Sequence, residues 1–154
     1  MYVYGVESGR GGCNFYRIKQ PFAKLLEKGA FECASSSMLD NMDDQGLWAD
    51  RADVIVSQCG TSEKFLQYVL DQKGKKQFVL DYDDNIFSVS PYNPSYAKHG
   101  VDEVVHENED GERIKLWEDG KNGFSLKENR ARLFLFAETL KAMDMVTTPS
   151  PILS

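Results

Sequence analysis

Apolar positions along the chain follow two rhythms that alternate. Residues 1–6 (MYVYGV) are short, β-branched and aromatic, and predict a strand that breaks into the Gly-rich segment 7–12. Residues 14–28 place Phe15, Ile18, Phe22, Leu25 and Leu26 at helical spacing. Pro21 lies inside that pattern and predicts a kink or an interrupted first turn. Gly29 is placed to cap the helix end. Residues 31–35 read as a second strand and 52–58 (ADVIVSQ) as a stronger one, with the continuous apolar centre of a strand covered on both faces. Residues 62–73 give a helix carrying Phe65, Leu66, Val69 and Leu70, closed by Gly74, and 77–81 (QFVLD) give the next buried strand.

The second half changes character. Residues 103–106 and 113–117 flank a polar stretch that turns through Asp110-Gly111, the signature of a hairpin. Residues 126–143 form a long amphipathic helix with Leu133, Phe134, Phe136, Ala137, Leu140 and Met143, and residues 145–148 suit a last strand. Strand–helix–strand alternation predicts an α/β fold: a Rossmann-like three-layer domain with a mostly parallel sheet and an inserted β-hairpin.

Composition bounds this picture. The 154 residues carry 18 basic and 24 acidic side chains, a formal charge of −6, and 42% hydrophobic positions. That is enough apolar material for one core, so residues 1–154 read as a single domain. The acidic balance disfavours duplex nucleic acid as a partner. No run approaches the roughly 20 apolar residues of a membrane span, and Glu7 and Arg10 interrupt any signal-peptide pattern. Cys13, Cys33 and Cys59 are odd in number and widely spaced, which suits reduced thiols and a cytoplasmic location better than a disulfide framework. With His99 and His106 alone, zinc-type spacing is lacking, and neither histidine has a triad partner in sequence.

In an open parallel sheet, ligands bind beyond the carboxyl ends of the strands. Three segments converge there. The loop around Gly11, Gly12 and Asn14 offers glycines for close backbone approach and a helix start for an anion or hydroxyl, without a dinucleotide or Walker pattern. Arg17, three residues after Asn14, is placed to reach a ligand phosphate or a carboxylate cluster. Asp81, Asp83, Asp84 and Asn85 crowd one strand end, where the carboxylates suit oxygen coordination of a divalent cation, hydrogen bonding to sugar hydroxyls, or a solvated acidic turn. The Pro-rich loop at 90–96 adds Tyr92, Asn93 and Tyr96, aromatics beside amides that suit carbohydrate stacking or rigid loop packing. The acidic tip at 107–112 reads as solvated.

Taken together, these segments resemble one family. Residues 12–25 (GCNFYRIKQPFAKL) resemble the Tyr-Arg-Ile-x-x-Pro segment that opens the N-terminal domain of GT-B type glycosyltransferases, in a bacterial and bacteriophage-encoded group. Residues 52–58, 81–87, 91–96 and 144–150 are similar, in order, to later segments of that domain. The resemblance implies a Rossmann-like acceptor half, with Gly11, Gly12, Asn14, Tyr16, Arg17, Asp81, Asp83, Asp84, Asn85, Tyr92 and Asn93 contacting substrate. It implies no bound cofactor and no required Mg²⁺, since the nucleotide-sugar donor is a substrate gripped by a second domain that these residues do not contain. The expectation is therefore a domain that does not transfer sugar alone, with no residue assigned as catalytic. Two other readings stand beside it. One is a non-catalytic binding or assembly module. The other is a haloacid-dehalogenase-like phosphatase, with Asp81 as nucleophile and Asp83 as acid/base around Mg²⁺, although Asn85 stands where that motif has Thr.

Overall fold

A computed structural model describes residues 1–7, 12–29, 31–36, 42–58, 62–82 and 85–149, the side chains of 42–44 excepted. The chain divides into two compact units, residues 1–83 with 139–154, and residues 84–138. In the first unit, β1 (Tyr2–Val6), β2 (Glu32–Ser35), β3 (Val54–Gln58), β4 (Gln77–Asp81) and β7 (Met145–Thr147) form one sheet of order β2-β1-β3-β4-β7. Every described pairing in it is parallel, as the strand–helix alternation predicts. The chain leaves β1 towards β2 and then returns to the other side of β1 as β3. That reversal makes the gap between β1 and β3 the topological switch point.

Helices cover both faces of this sheet. On one face Tyr4, Ile55 and Phe78 pack with Ala52, Val69 of α4 (Glu63–Gln72) and Ala142 at the end of α6 (Leu126–Ala142). Trp48 and Ala49 of α3 (Met42–Arg51) close the same cluster. On the other face Val3, Cys33, Val54 and Val56 meet Ile18, Phe22 and Leu25. Gly5 is required there: a Cβ would fall 2.8 Å from Ile18 Cγ2 and 2.9 Å from Phe22 Cε2. Cys33 donates to the Phe22 carbonyl at 3.4 Å, and burial pushes its thiol pKa up.

The helix expected at 14–28 is segmented. A first turn, α1 (Gly12–Asn14), runs into a π-helical turn at Phe15–Lys19 and then α2 (Gln20–Glu27). Gln20 N–H donates to the Phe15 carbonyl, five residues back. Pro21 explains the widening, because it has no N–H to give the Arg17 carbonyl and its ring crowds that turn. The extra residue rotates what precedes it by about 100°, and Phe15 is half exposed instead of joining the apolar stripe. Leu26, Leu70 and Phe134 are likewise exposed, at the margins of their stripes. Gly29 closes α2 at φ +62° with its N–H on the Leu26 carbonyl, and Ser62 caps α4 by accepting from Phe65 N–H. The helix α3 was not foreshadowed by any strong apolar period.

The second unit holds α5 (Tyr96–His99), an antiparallel ribbon of β5 (Val104–Glu107) and β6 (Arg113–Trp117), and residues 126–138 of α6. Its core is aromatic. Tyr96, Trp117 and Phe124 stack or tilt against one another at 5.7–6.0 Å, and Phe87 lies 5.4 Å from Phe136. The ribbon turns through Gly111 at φ +78°, as expected from Asp110-Gly111. Among the described residues, no helix is long and apolar enough to cross a membrane.

Candidate functional site

Parallel pairing decides which side chains share a face. Gln58 is level with Asp81, Asp81 is level with Thr147, and Glu7 stands one step past the Val6–Ser57 pair, level with Gln58. Strand alternation turns Glu7, Gln58, Asp81 and Thr147 to the face already occupied by Gly5, Val56 and Val79. The apolar layer beneath the π turn and α2 therefore ends, at the carboxyl ends of the strands, in a row of polar groups on both sides of the switch point.

Most of this row is buried and bonded. Arg17 sends Nε and Nη2 to the two carboxylate oxygens of Asp81, a bidentate pair, with Asp81 only 6% exposed. Thr147 Oγ1 donates to Asp81 Oδ1 at 2.6 Å, tying β7 to β4 beyond their backbone ladder. At the other end, Ser35 Oγ donates to Glu7 Oε1 at 2.6 Å, and Lys19 Nζ stands 3.7 Å from Glu7 Oε2. Glu7 N–H donates to Ser36 Oγ at 3.1 Å. The Tyr4 phenol is pushed up by its own burial and then by the negative charge of Glu7. Asn14 is buried on the first helical turn above the row. Gln58 is 2% exposed, and its Oε1 is enclosed without a hydrogen-bond partner.

Of the residues expected from sequence, Asn14, Arg17 and Asp81 belong to this unit, and the structure brings the last two into direct contact. Tyr16 is exposed on the π turn, edge-on to Phe15 at 5.2 Å. Gly12 opens the helix, and a Cβ there would meet open space, so packing does not require a glycine. Gly11, Asp83 and Asp84, with Cys59, lie outside the described residues. Asn85, Tyr92 and Asn93 belong to the second unit. Asn85 and Asn93 line a polar pocket of about 280 Å³ with Ser88, Ser90, Ser95 and His99. Tyr92 is exposed, with its hydroxyl 3.0 Å from His106 Nδ1. Asn93 Oδ1 is spent on the backbone N–H of Ser95.

Sequence reasoning did not single out Glu7, Lys19, Ser35, Gln58 or Thr147. The available signal was a polar residue immediately closing each apolar strand, which becomes a site only when the register is known. Chemically, the row is a set of fixed hydrogen-bonding groups. Both Asp81 oxygens are engaged by Arg17, which suits a fixed hydrogen-bond acceptor and not an attacking nucleophile. Among the described residues, no three His, Cys, Asp or Glu side chains are grouped to hold a metal ion.

Comparison with known proteins adds no identification: no family model matches the chain, and no curated protein sequence matches it.

Proposed function

We propose that the chain is the acceptor-side half of a GT-B type glycosyltransferase, which seats a hydroxyl-bearing substrate while a second half grips the nucleotide-sugar. One observation carries this reading: a buried row of hydrogen-bonding side chains crosses the carboxyl ends of β1, β3, β4 and β7 at the switch point of a parallel sheet. Such crevices are where open α/β sheets bind ligands. The segments that resemble the family, 12–25, 52–58 and 81–87, are those that supply Arg17, Gln58 and Asp81 to that row.

In the transfer, an acceptor oxygen forms a bond to the anomeric carbon, the nucleoside diphosphate leaves with the electron pair of the broken bond, and the acceptor proton is released. The row orients the acceptor for that displacement, since geometry fixed in advance lowers the entropy cost of bringing reactants together. Arg17 and Asp81 hold the helix start and two strands rigid around it.

The test is to incubate the intact gene product with radiolabelled nucleotide-sugars and follow transfer or hydrolysis. Consumption of a nucleotide-sugar, slowed in Arg17→Lys because a lysine cannot reproduce the bidentate contact, is the expected result. Failure to consume any nucleotide-sugar counts against the reading. Mg²⁺-dependent release of phosphate from an aryl phosphate, abolished by Asp81→Asn, replaces it with the phosphatase.

A further inference from the structure

Gln58 differs from every charged member of the row. The carboxylates are compensated within the fold, Asp81 by Arg17 and Glu7 by Lys19. The Gln58 amide oxygen is enclosed without a hydrogen-bond partner among the described residues. A buried acceptor left unpaired is unfavourable, and native folds hold few of them. It also sits at a specific place. Gln58 ends β3, level with Asp81 on one side and beside Glu7 at the end of β1 on the other, so it stands on the switch point itself.

We propose that Gln58 is the specificity-determining contact for a neutral, polyhydroxylated ligand, a saccharide, bound beyond the carboxyl ends of β1 and β3, where the Gln58 side chain turns out of its enclosed position to meet it. Its Oε1 accepts from one ligand hydroxyl while its Nε2 donates to an adjacent one, the pairing that a primary amide and vicinal hydroxyls make in common. Charge argues for neutrality of the ligand. An anion placed on Gln58 faces the carboxylates of Glu7 and Asp81, whose cations are already committed, whereas a hydroxyl finds acceptors on both sides. The proposal deepens the acceptor-side reading and rests on it for the saccharide's role as acceptor.

The experiment is a two-dimensional amide NMR titration of this chain with D-glucose, D-galactose and maltotriose, and in parallel with inorganic phosphate and uridine diphosphate. A saccharide is expected to shift the amides of Glu7, Gln58 and Asp81. Gln58→Leu should weaken that binding by about tenfold or more, the effect of one or two lost hydrogen bonds. Its urea midpoint should be unchanged or higher, since the substitution removes an unpartnered polar group. Gln58→Met provides a second, more adaptable side chain should Leu fail to fold. The proposal is overturned if no saccharide moves those amides, if phosphate or uridine diphosphate binds there in preference, or if both variants bind saccharide like the parent. Nucleotide-sugar consumption indifferent to Gln58→Leu overturns this inference and leaves the glycosyltransferase reading standing. Saccharide binding that Gln58→Leu removes, in a protein that consumes no nucleotide-sugar, does the reverse.

Discussion

Two carboxamides are buried to nearly the same degree in the two units, Gln58 at 2% and Asn129 at 1% exposure, and their surroundings differ completely. Asn129 is fully employed. Its Nδ2 donates to the carbonyls of Ala97 at 3.0 Å and Gly100 at 2.8 Å, and its Oδ1 accepts from Arg132 Nη1 at 2.7 Å. It fastens α6 to the end of α5, where Gly100 admits no Cβ because the Tyr96 ring lies against it. Gln58 leaves its oxygen unspent at the end of the central strand. A buried amide that satisfies its neighbours is a structural bolt. One that does not is, in the proposal above, the group left for a ligand. The exposed polar loop of the second unit is a third case, because Tyr92 and Asn93 already bond to His106 and Ser95.

If that distinction is sound, removing internally satisfied groups must cost stability. Arg17→Leu is expected to have the largest effect. It leaves the Asp81 carboxylate buried without its bidentate partner, and loss of one member of a buried pair costs about 3–5 kcal/mol. Urea unfolding of the variant reads this directly, and a midpoint equal to the parent's would show that Asp81 is satisfied without Arg17. Asn129→Leu, nearly isosteric, strands the Ala97 and Gly100 carbonyls and should cost about 2–3 kcal/mol. An Asn129→Leu protein as stable as the parent would erase the contrast with Gln58. Thr147→Val removes a single hydroxyl donor from Asp81 and should cost about 1 kcal/mol, with the β4–β7 backbone ladder intact.

The reach of the sequence ends at a definable point. Apolar runs and glycines were enough for β1, β3, β4, the α2 and α4 helices and the Gly111 hairpin turn, because each is set by a local period or a backbone requirement. Met42–Arg51 escaped, since its mean hydropathy is low and, among its described side chains, Trp48 and Ala49 carry it into the core. The candidate site was legible only in part, for a different reason. Arg17 and Asp81 stood out as charges at element ends, but Glu7, Gln58 and Thr147 join the row only through parallel register between strands distant in sequence, as Val6–Ser57, Gln58–Asp81 and Asp81–Thr147 show. Asn129 was hidden by the same logic. It is a polar residue on a helix whose pattern gives no hint that this position is enclosed.

The smallest expected effect provides the sharpest control. Ser57 precedes Gln58 on β3, is fully buried, and its Oγ also lacks a hydrogen-bond partner. Strand alternation turns it to the opposite face, level with Val6 and Leu80 and one step beyond Tyr4, Ile55 and Phe78. That face is closed by α3 and α4, and it carries none of the row's polar side chains. Ser57→Ala should therefore change stability by no more than about 0.5 kcal/mol, since loss of an unpartnered hydroxyl offsets the small loss of packing. It should also leave any saccharide titration unaltered. If Ser57→Ala weakened saccharide binding as much as Gln58→Leu, orphaned polarity at the end of β3 would be acting through the strand, and the facing of Gln58 towards the crevice would not be what selects the ligand. If it altered neither, two adjacent orphans would be separated by facing alone, and only the one turned to the switch-point row would bind.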